Sequence, residues 1–244
     1  MAIRPYQLAA NLDVEKYRLE FSRTERVQID PFLSADSASQ LHDHLSNRGD
    51  WREIINSGDK VFELDRENQN KLGSQDRARL NDAIRAGAQT GFQHLYESIR
   101  VSDEPQERDE SGTALDAFAS FMASDNVLDV LRAITALEEI NFADAQATLY
   151  RPGDFLTAHR DDVEGKNRLA AYVLGLTPRW RTEWGGLLLF HDENADVSRG
   201  LTPRFNCLNI FRVPQTHSVS QVASYAGANR VSVTGWLRKQ DRGA

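Results

Sequence analysis

Hydrophobic positions along this chain follow two different periods, and the change falls near residue 140. Upstream, helical spacing recurs. Leu41 and Leu45 stand at i, i+4 behind Ser34 or Asp36, either of which suits a helix N-cap. A second helix begins near Ser74 or Gln75, and Leu80, Ile84, Phe92, Leu95 and Ile99 fall mainly on one stripe of it. A third covers 124–137, with Val127, Val130, Leu131 and Ile134 as its apolar face. Residues 1–24 read as a short helix or arm, 27–34 as a strand leading into a helix, and 51–55 and 60–64 as short strands. The acidic, breaker-rich stretch 103–113 reads as a mobile surface loop.

From Asn141 the period becomes that of strands. Candidates are 144–150, 155–159, 168–176, 186–190, 204–213, 218–222 and 230–238. Short strands of this number, joined by polar turns, suggest a sandwich or a jelly roll. There is no internal repeat and no low-complexity tract.

Composition narrows the class. A chain of 244 residues with 27% charged and 40% apolar residues has ample material for a core, as one large domain or two small ones. The formal net charge of −7 argues against broad binding to nucleic acid, whose phosphates demand a basic surface. No apolar run approaches the roughly 20 residues that span a bilayer. The first residues lack a long apolar stretch, and Cys207 is the single cysteine, so the expectation is a cytoplasmic protein. Cys207 lies in an apolar run and reads as a buried, inert thiol.

The candidate chemistry sits in His159-Arg160-Asp161, with His217 far downstream and Arg230 beyond it. On an extended segment, i and i+2 point the same way, so His159 and Asp161 face one centre while Arg160 turns outward. A distant histidine would complete a 2-His-1-carboxylate face, the set that binds non-haem Fe(II) and leaves positions open. Arg230 offers a planar fork for a carboxylate, as binding of a keto diacid requires. A lone His-x-Asp is most often an ordinary surface turn, so the surroundings must decide. His191, at the end of an apolar run, is the rival third ligand. His42, His44 and His94 lie in helical segments and read as surface or packing residues.

The surroundings resemble a known family. Tyr150-Arg-Pro-Gly-Asp-Phe-Leu-Thr-Ala-His159-Arg-Asp161 resembles the entry to the metal site of prolyl 4-hydroxylase-like Fe(II)/2-oxoglutarate dioxygenases. The segments from Arg168 to Leu176 and Trp184 to Phe190 resemble the next two strands. Gln215-Thr-His217-Ser-Val resembles the distal histidine, and the run from Arg230 to Trp236 the closing strand. The likeness covers roughly 141–238. It implies an α+β fold, a double-stranded β-helix (jelly roll) core supported by N-terminal helices. Residues 1–140 would be the supporting region and 141–244 the catalytic core of one domain.

The resemblance further implies Fe(II), 2-oxoglutarate and O₂ as metal and co-substrates, with ascorbate as an auxiliary reductant. His159, Asp161 and His217 would be the metal ligands. Arg230 would hold the far carboxylate of 2-oxoglutarate, and Tyr150 would reach the bound co-substrate. Ser232 shares Arg230's parity and either adds a hydroxyl hydrogen bond or fills the barrel interior. His217 is preferred over His191, because substituting His191 places Arg230 too far downstream for the family pattern. Related halogenases lack the carboxylate that Asp161 supplies, which points to hydroxylation. Related nucleic-acid demethylases carry a second arginine six residues past the first, where this chain has Trp236, read here as core packing. The 177–184 loop, bearing Trp180 and Trp184, is either a cover and wall for substrate or a cap on the barrel edge.

The implied reaction is hydroxylation of a C–H bond with release of succinate and CO₂. The ending resembles the branch acting on prolyl residues of proteins, ribosomal proteins included. The implied partner is a protein or peptide, with no nucleic acid and no membrane. Three rivals remain: a hydroxylase of a free amino acid or small metabolite, a non-catalytic cupin-like sensor or binding module, and a zinc-dependent hydrolase or isomerase of the cupin kind.

Overall fold

The computed structural model describes residues 3–240. The first half runs α1 (Val14–Thr24), β1 (Arg26–Ile29), α2 (Ala35–Ser46), β2 (Arg52–Ser57), β3 (Lys60–Leu64), α3 (Arg66–Lys71), α4 (Ser74–Thr90), β4 (His94–Arg100), α5 (Pro105–Ser111), α6 (Ala114–Met122) and α7 (Asp125–Thr135). Strands follow: β5 (Phe142–Ala143), β6 (Gln146–Tyr150), β7 (Phe155–His159), β8 (Arg168–Gly175), β9 (Leu188–His191), β10 (Val197–Leu201), β11 (Cys207–Arg212), β12 (His217–Val219) and β13 (Arg230–Arg238).

The strands form one curled antiparallel sheet in the order β1-β11-β8-β13-β6-β4-β7-β12-β9-β10, with the β2–β3 hairpin added beside β4. The curl occurs where His94 and Leu95 of β4 pair with Leu156 and Phe155 of β7. It yields a larger layer containing β8, β13 and β6 and a smaller one of β7, β12, β9 and β10. This half-barrel backed by helices is the expected double-stranded β-helix (jelly roll).

Local sequence explains the helices that back the larger layer. Ser34 Oγ accepts from Ser37 N to cap α2, and Thr113 and Asp116 form a reciprocal capping box on α6. α7 buries Val127, Leu128, Leu131 and Ile134 on one stripe. These residues join Leu41, Leu45, Phe118 and Met122 in one core with Leu174, Leu208, Val233 and Leu237 of the sheet. Among the described residues no helix is long and apolar enough to cross a membrane.

α3 and α4 are attached differently. α3 buries no residue and α4 buries only Ile84. They are held by charge. Arg66 makes a bidentate pair with Glu97 at 2.6 and 2.7 Å, and Arg77 reaches Glu53 at 2.8 Å. Arg151 bridges Glu53, Glu97 and Asp154 at 2.7, 3.1 and 3.3 Å. Glu97 and Glu53 are 0% and 1% exposed, so ion pairs here replace a hydrophobic contact.

Three expectations are corrected. The helix starting at Ser74 stops at Thr90, and the stripe expected to continue through Phe92, Leu95 and Ile99 does not. Gly91 ends it in an extended conformation, and His94–Arg100 pairs with β2 and β6 instead. Sheet hydrogen bonding on both edges overrides a helical periodicity that passed through the break. The expected 103–113 loop holds helix α5, begun by Pro105 and ended by Gly112 at φ 60°. Arg108 is buried and donates to the carbonyls of Ser102 and Asp103, which ties this stretch down. Finally, β10 forms in a polar segment, paired to β9 as an exposed edge.

Candidate metal and co-substrate site

β7 and β12 lie side by side, and their register sets His217 directly opposite His159. The imidazole centroids are 4.2 Å apart. Asp161, two residues past His159, turns the same way. Its Oδ1 is 3.8 Å from His159 Nε2 and its Oδ2 is 3.6 Å from His217 Nε2. Arg160 points outward and pairs with Asp162 at 3.0 Å.

Each imidazole is oriented by its own strand. His159 Nδ1 donates to Thr157 O at 3.0 Å, and His217 Nδ1 donates to Gln215 O at 2.9 Å. That bond puts the proton on Nδ1 and leaves the Nε2 lone pair facing Asp161. Burial and the neighbouring His159 push His217 down to about 4, so it is neutral at physiological pH. Two imidazole nitrogens and one carboxylate, all within 4.8 Å of one another, fit an Fe(II) ion in donor type. His191 lies on the other face of its strand, and its Nε2 meets Ser218 Oγ at 2.8 Å.

The three groups open into a cavity of about 220 Å³ that also contains Arg230 and Tyr150. Arg230 stands opposite Tyr150 in the β13–β6 register. It is 4% exposed, with its guanidinium 5.0 Å over the Tyr150 ring. Burial lowers its pKa and raises that of the Tyr150 phenol. Among the described residues no acidic side chain pairs with Arg230. Its room comes from Gly186 at φ +62°, where a Cβ would stand 3.2 Å from Arg230 Cδ, Trp180 and Val222. A buried, always-charged fork without a carboxylate fits the far end of a keto diacid.

Ser232 Oγ is 2.9 Å from Thr148 Oγ1, so its hydroxyl engages a side chain that lines the cavity. Trp180 and Trp184 meet edge to face, and Trp180 Nε1 donates to Gly185 O. Trp180 packs near Tyr150 and Val222 rather than lining the cavity. Trp236 packs, as expected, against the cluster of Ala171, Leu188, Phe190 and Phe211, and it also walls the cavity. Arg168 stacks 3.5 Å over its ring and donates to Asp161 O at 3.3 Å. Cys207 is buried outside this site, and burial pushes its thiol up to about 12.

Sequence reasoning missed one wall altogether. His94 and Tyr96 of β4 line the cavity, with Phe92 at its rim. The Tyr96 ring stacks on Tyr150 at 5.4 Å and 23°. The one local signal was the break at Gly91, since the run from Phe92 to Ile99 after it does not alternate as a half-buried strand does.

Known proteins match in the same places. Residues 145–238 match the model of the 2OG-Fe(II) oxygenase superfamily. Prolyl 3-hydroxylase OGFOD1 of Mus musculus is 33% identical over 101 residues, a stretch covering 38% of this chain and 18% of that protein. The match thus spans less than a fifth of that relative's length. A Pseudomonas putida prolyl-4-hydroxylase superimposes with a TM-score of 0.58 at 19% identity, covering 93% of this chain and 100% of that one. A Trichoplax adhaerens prolyl hydroxylase, solved with a hypoxia inducible factor oxygen degradation domain peptide fragment, gives 0.61 at 15% identity, covering 93% and 89%. The segment from β6 to β13 is thus similar to the 2OG-Fe(II) oxygenase superfamily, and the fold is shared along nearly the whole chain with these two prolyl hydroxylase structures.

Proposed function

We propose that this protein is an Fe(II)- and 2-oxoglutarate-dependent dioxygenase that hydroxylates a prolyl residue of a cytosolic protein or peptide. The observation that carries the reading is one cavity that gathers two complementary features. Three metal-ligand donors converge at one end, and Arg230 is a buried cation with no acidic partner among the described residues.

In this reading His159 Nε2, His217 Nε2 and the Asp161 carboxylate hold Fe(II). Arg230 pairs with the far carboxylate of 2-oxoglutarate, and the Tyr150 hydroxyl reaches the same molecule. When bound, the metal with 2-oxoglutarate and O₂ supplies the oxidising chemistry, releasing succinate and CO₂ as one oxygen enters a C–H bond. The protein's residues orient and exclude water. The backbone carbonyls of Thr157 and Gln215 engage each Nδ1 and so aim each Nε2 inward. Arg168, stacked on Trp236, holds the Asp161 backbone while leaving the carboxylate oxygens facing the histidines. Tyr96 and Leu156 complete a mostly apolar lining that suits a pyrrolidine ring. Ascorbate would act only as an auxiliary reductant. Residues 141–240 supply the metal and co-substrate ligands of one domain, and the residues before 141 support them and add the β4 wall.

The peptide preference is supported by the prolyl hydroxylase relatives, one of them solved with a peptide fragment. The test is mass spectrometry of proteins from cells with and without the enzyme, paired with conversion of 2-oxoglutarate to succinate by the Fe(II)-loaded protein. The expected result is enzyme-dependent gain of one oxygen on a proline. Oxygen found only on free metabolites would overturn the protein-hydroxylase reading, and absence of succinate formation would overturn the dioxygenase reading.

A further inference from the structure

β4 brings to the cavity a histidine that none of the roles above uses. His94 is 6% exposed and lines the same space as the triad. Its Nε2 is buried without a hydrogen-bond partner, although buried polar atoms in native proteins are almost always paired. Its donor atoms are not part of the group formed by His159, Asp161 and His217. Its ring stands between Phe92 and Tyr96, with centroids at 5.5 and 5.4 Å.

The backbone around His94 is fixed as firmly as that of the triad. His94 N donates to Asn56 Oδ1 at 2.8 Å, and Asn56 Nδ2 donates to Phe92 O at 3.0 Å. Gln93 N donates to Thr157 Oγ1 at 2.8 Å, and Thr157 N donates back to Gln93 O at 2.9 Å. Thr157 is the residue whose carbonyl orients His159, so the two histidines share one brace. With its backbone braced and a ring nitrogen left unmatched in the cavity wall, His94 is placed for a partner from outside the chain. That partner must enter past Phe92, which is 48% exposed at the rim and whose ring lies 5.5 Å from both His94 and His159.

We propose that His94 is a specificity-determining residue, its imidazole forming a hydrogen bond with a main-chain amide group of the peptide next to the target residue. This rests on the peptide-hydroxylase reading above. Its chemistry selects a hydrogen-bonding group, because an unmatched ring nitrogen stands there in a wall otherwise made by the rings of Phe92 and Tyr96.

The test uses the full chain loaded with Fe(II) and a short peptide carrying the proline that gains oxygen in the comparison of cells. His94→Phe keeps a ring and removes both nitrogens, whereas His94→Gln restores an amide nitrogen near the Nε2 position. In His94→Phe the peptide KM rises about tenfold, as expected for one lost hydrogen bond to a buried group. The KM for 2-oxoglutarate and peptide-independent succinate formation stay at the wild-type level. His94→Gln recovers much of the peptide KM. Peptide affinity for the Mn(II)-loaded protein, read by fluorescence anisotropy, follows the same order. An unchanged peptide KM together with a lowered Tm in His94→Phe would show that the ring only packs. A raised 2-oxoglutarate KM would place His94 at the co-substrate end, which also overturns the inference. Failure of the wild-type protein to oxidise any peptide would instead remove the functional reading, and this inference with it.

Discussion

Two groups of buried charge lie a short way apart in this molecule, and they are built on opposite plans. Around Arg151, outside the barrel, Glu53, Glu97 and Asp154 are matched by Arg66, Arg77 and Arg151 itself. Inside the barrel, Arg230 has no acidic partner among the described residues, and Asp161, with Arg168 only at 3.9 Å, faces the imidazoles of His159 and His217. The first group is complete and joins α3 and α4 to the sheet. The second is left incomplete by the chain and is completed from outside. Burial of charge is costly in both places; only the matched group recovers that cost within the fold.

The largest way to break the comparison is Asp161→Ala. Altering groups that merely support metal ligands costs roughly 10–100-fold. Loss of this ligand should exceed that and bring succinate formation to background, while circular dichroism and Tm stay near wild type. Full activity in this variant would remove Asp161 from the metal site. Next is Arg230. Taking one partner from a buried charge pair costs about 3–5 kcal/mol, so Arg230→Ala should raise the 2-oxoglutarate KM by roughly two to three orders of magnitude. Metal affinity should hold. Arg230→Met should leave Tm unchanged or higher, because it replaces an uncompensated charge by apolar volume. A fall in Tm like that of a core cavity would show that Arg230 serves the fold.

The matched group should answer in the opposite way. Glu97→Gln leaves Arg66 and Arg151 short of a carboxylate. Both arginines are partly solvated, so we expect a loss of about 1–3 kcal/mol in urea unfolding. The 2-oxoglutarate KM should move little.

The smallest effects are on pH dependence of stability, and their signs differ. Burial raises Asp154 from 3.8 to about 6 despite Arg151 beside it. The folded state then favours the protonated form, so this contribution is complete below pH 3.8 and lost as pH rises through 6. Burial lowers His94 and His217 from 6.5 to about 4. Their contribution is complete above pH 6.5 and lost as pH falls through 4. Urea midpoints of the metal-free protein between pH 4 and 7 measure the sum. Asp154→Asn should remove the first slope and His94→Phe part of the second. Slopes unchanged in both variants would refute these assignments.

How much of this was legible in the sequence follows from where the information lies. The His159–Asp161 relation is local, because two residues two apart on a strand must share a face. Arg230 was legible as a fork on a strand of clear alternation. Gly186 is printed in Trp-Gly-Gly, but only the approach of Arg230 explains it. The wall made by His94 and Tyr96 was illegible, since Leu95 and Ile99 fall at helical spacing from Ile84 and only pairing with β2, β6 and β7 fixes the strand. β10 carries four exposed residues of five, so no burial pattern marks it. The roles of Trp236 and Arg168 depend on a stacking contact between different strands, which no single segment encodes.

The position of β13 bears on how the protein is made. It is hydrogen-bonded between β8 and β6, near the middle of the sheet, yet it follows every other strand in the chain. During synthesis β6 and β8 therefore leave the ribosome with a vacant slot between them and their inner edges unpaired. Such edges invite pairing with other chains. The helices of the first half emerge earlier and can shield the outer face during that interval, but not the slot itself. The strand that fills it also carries Arg230, so a nascent chain cannot acquire a working co-substrate pocket before its sheet is closed.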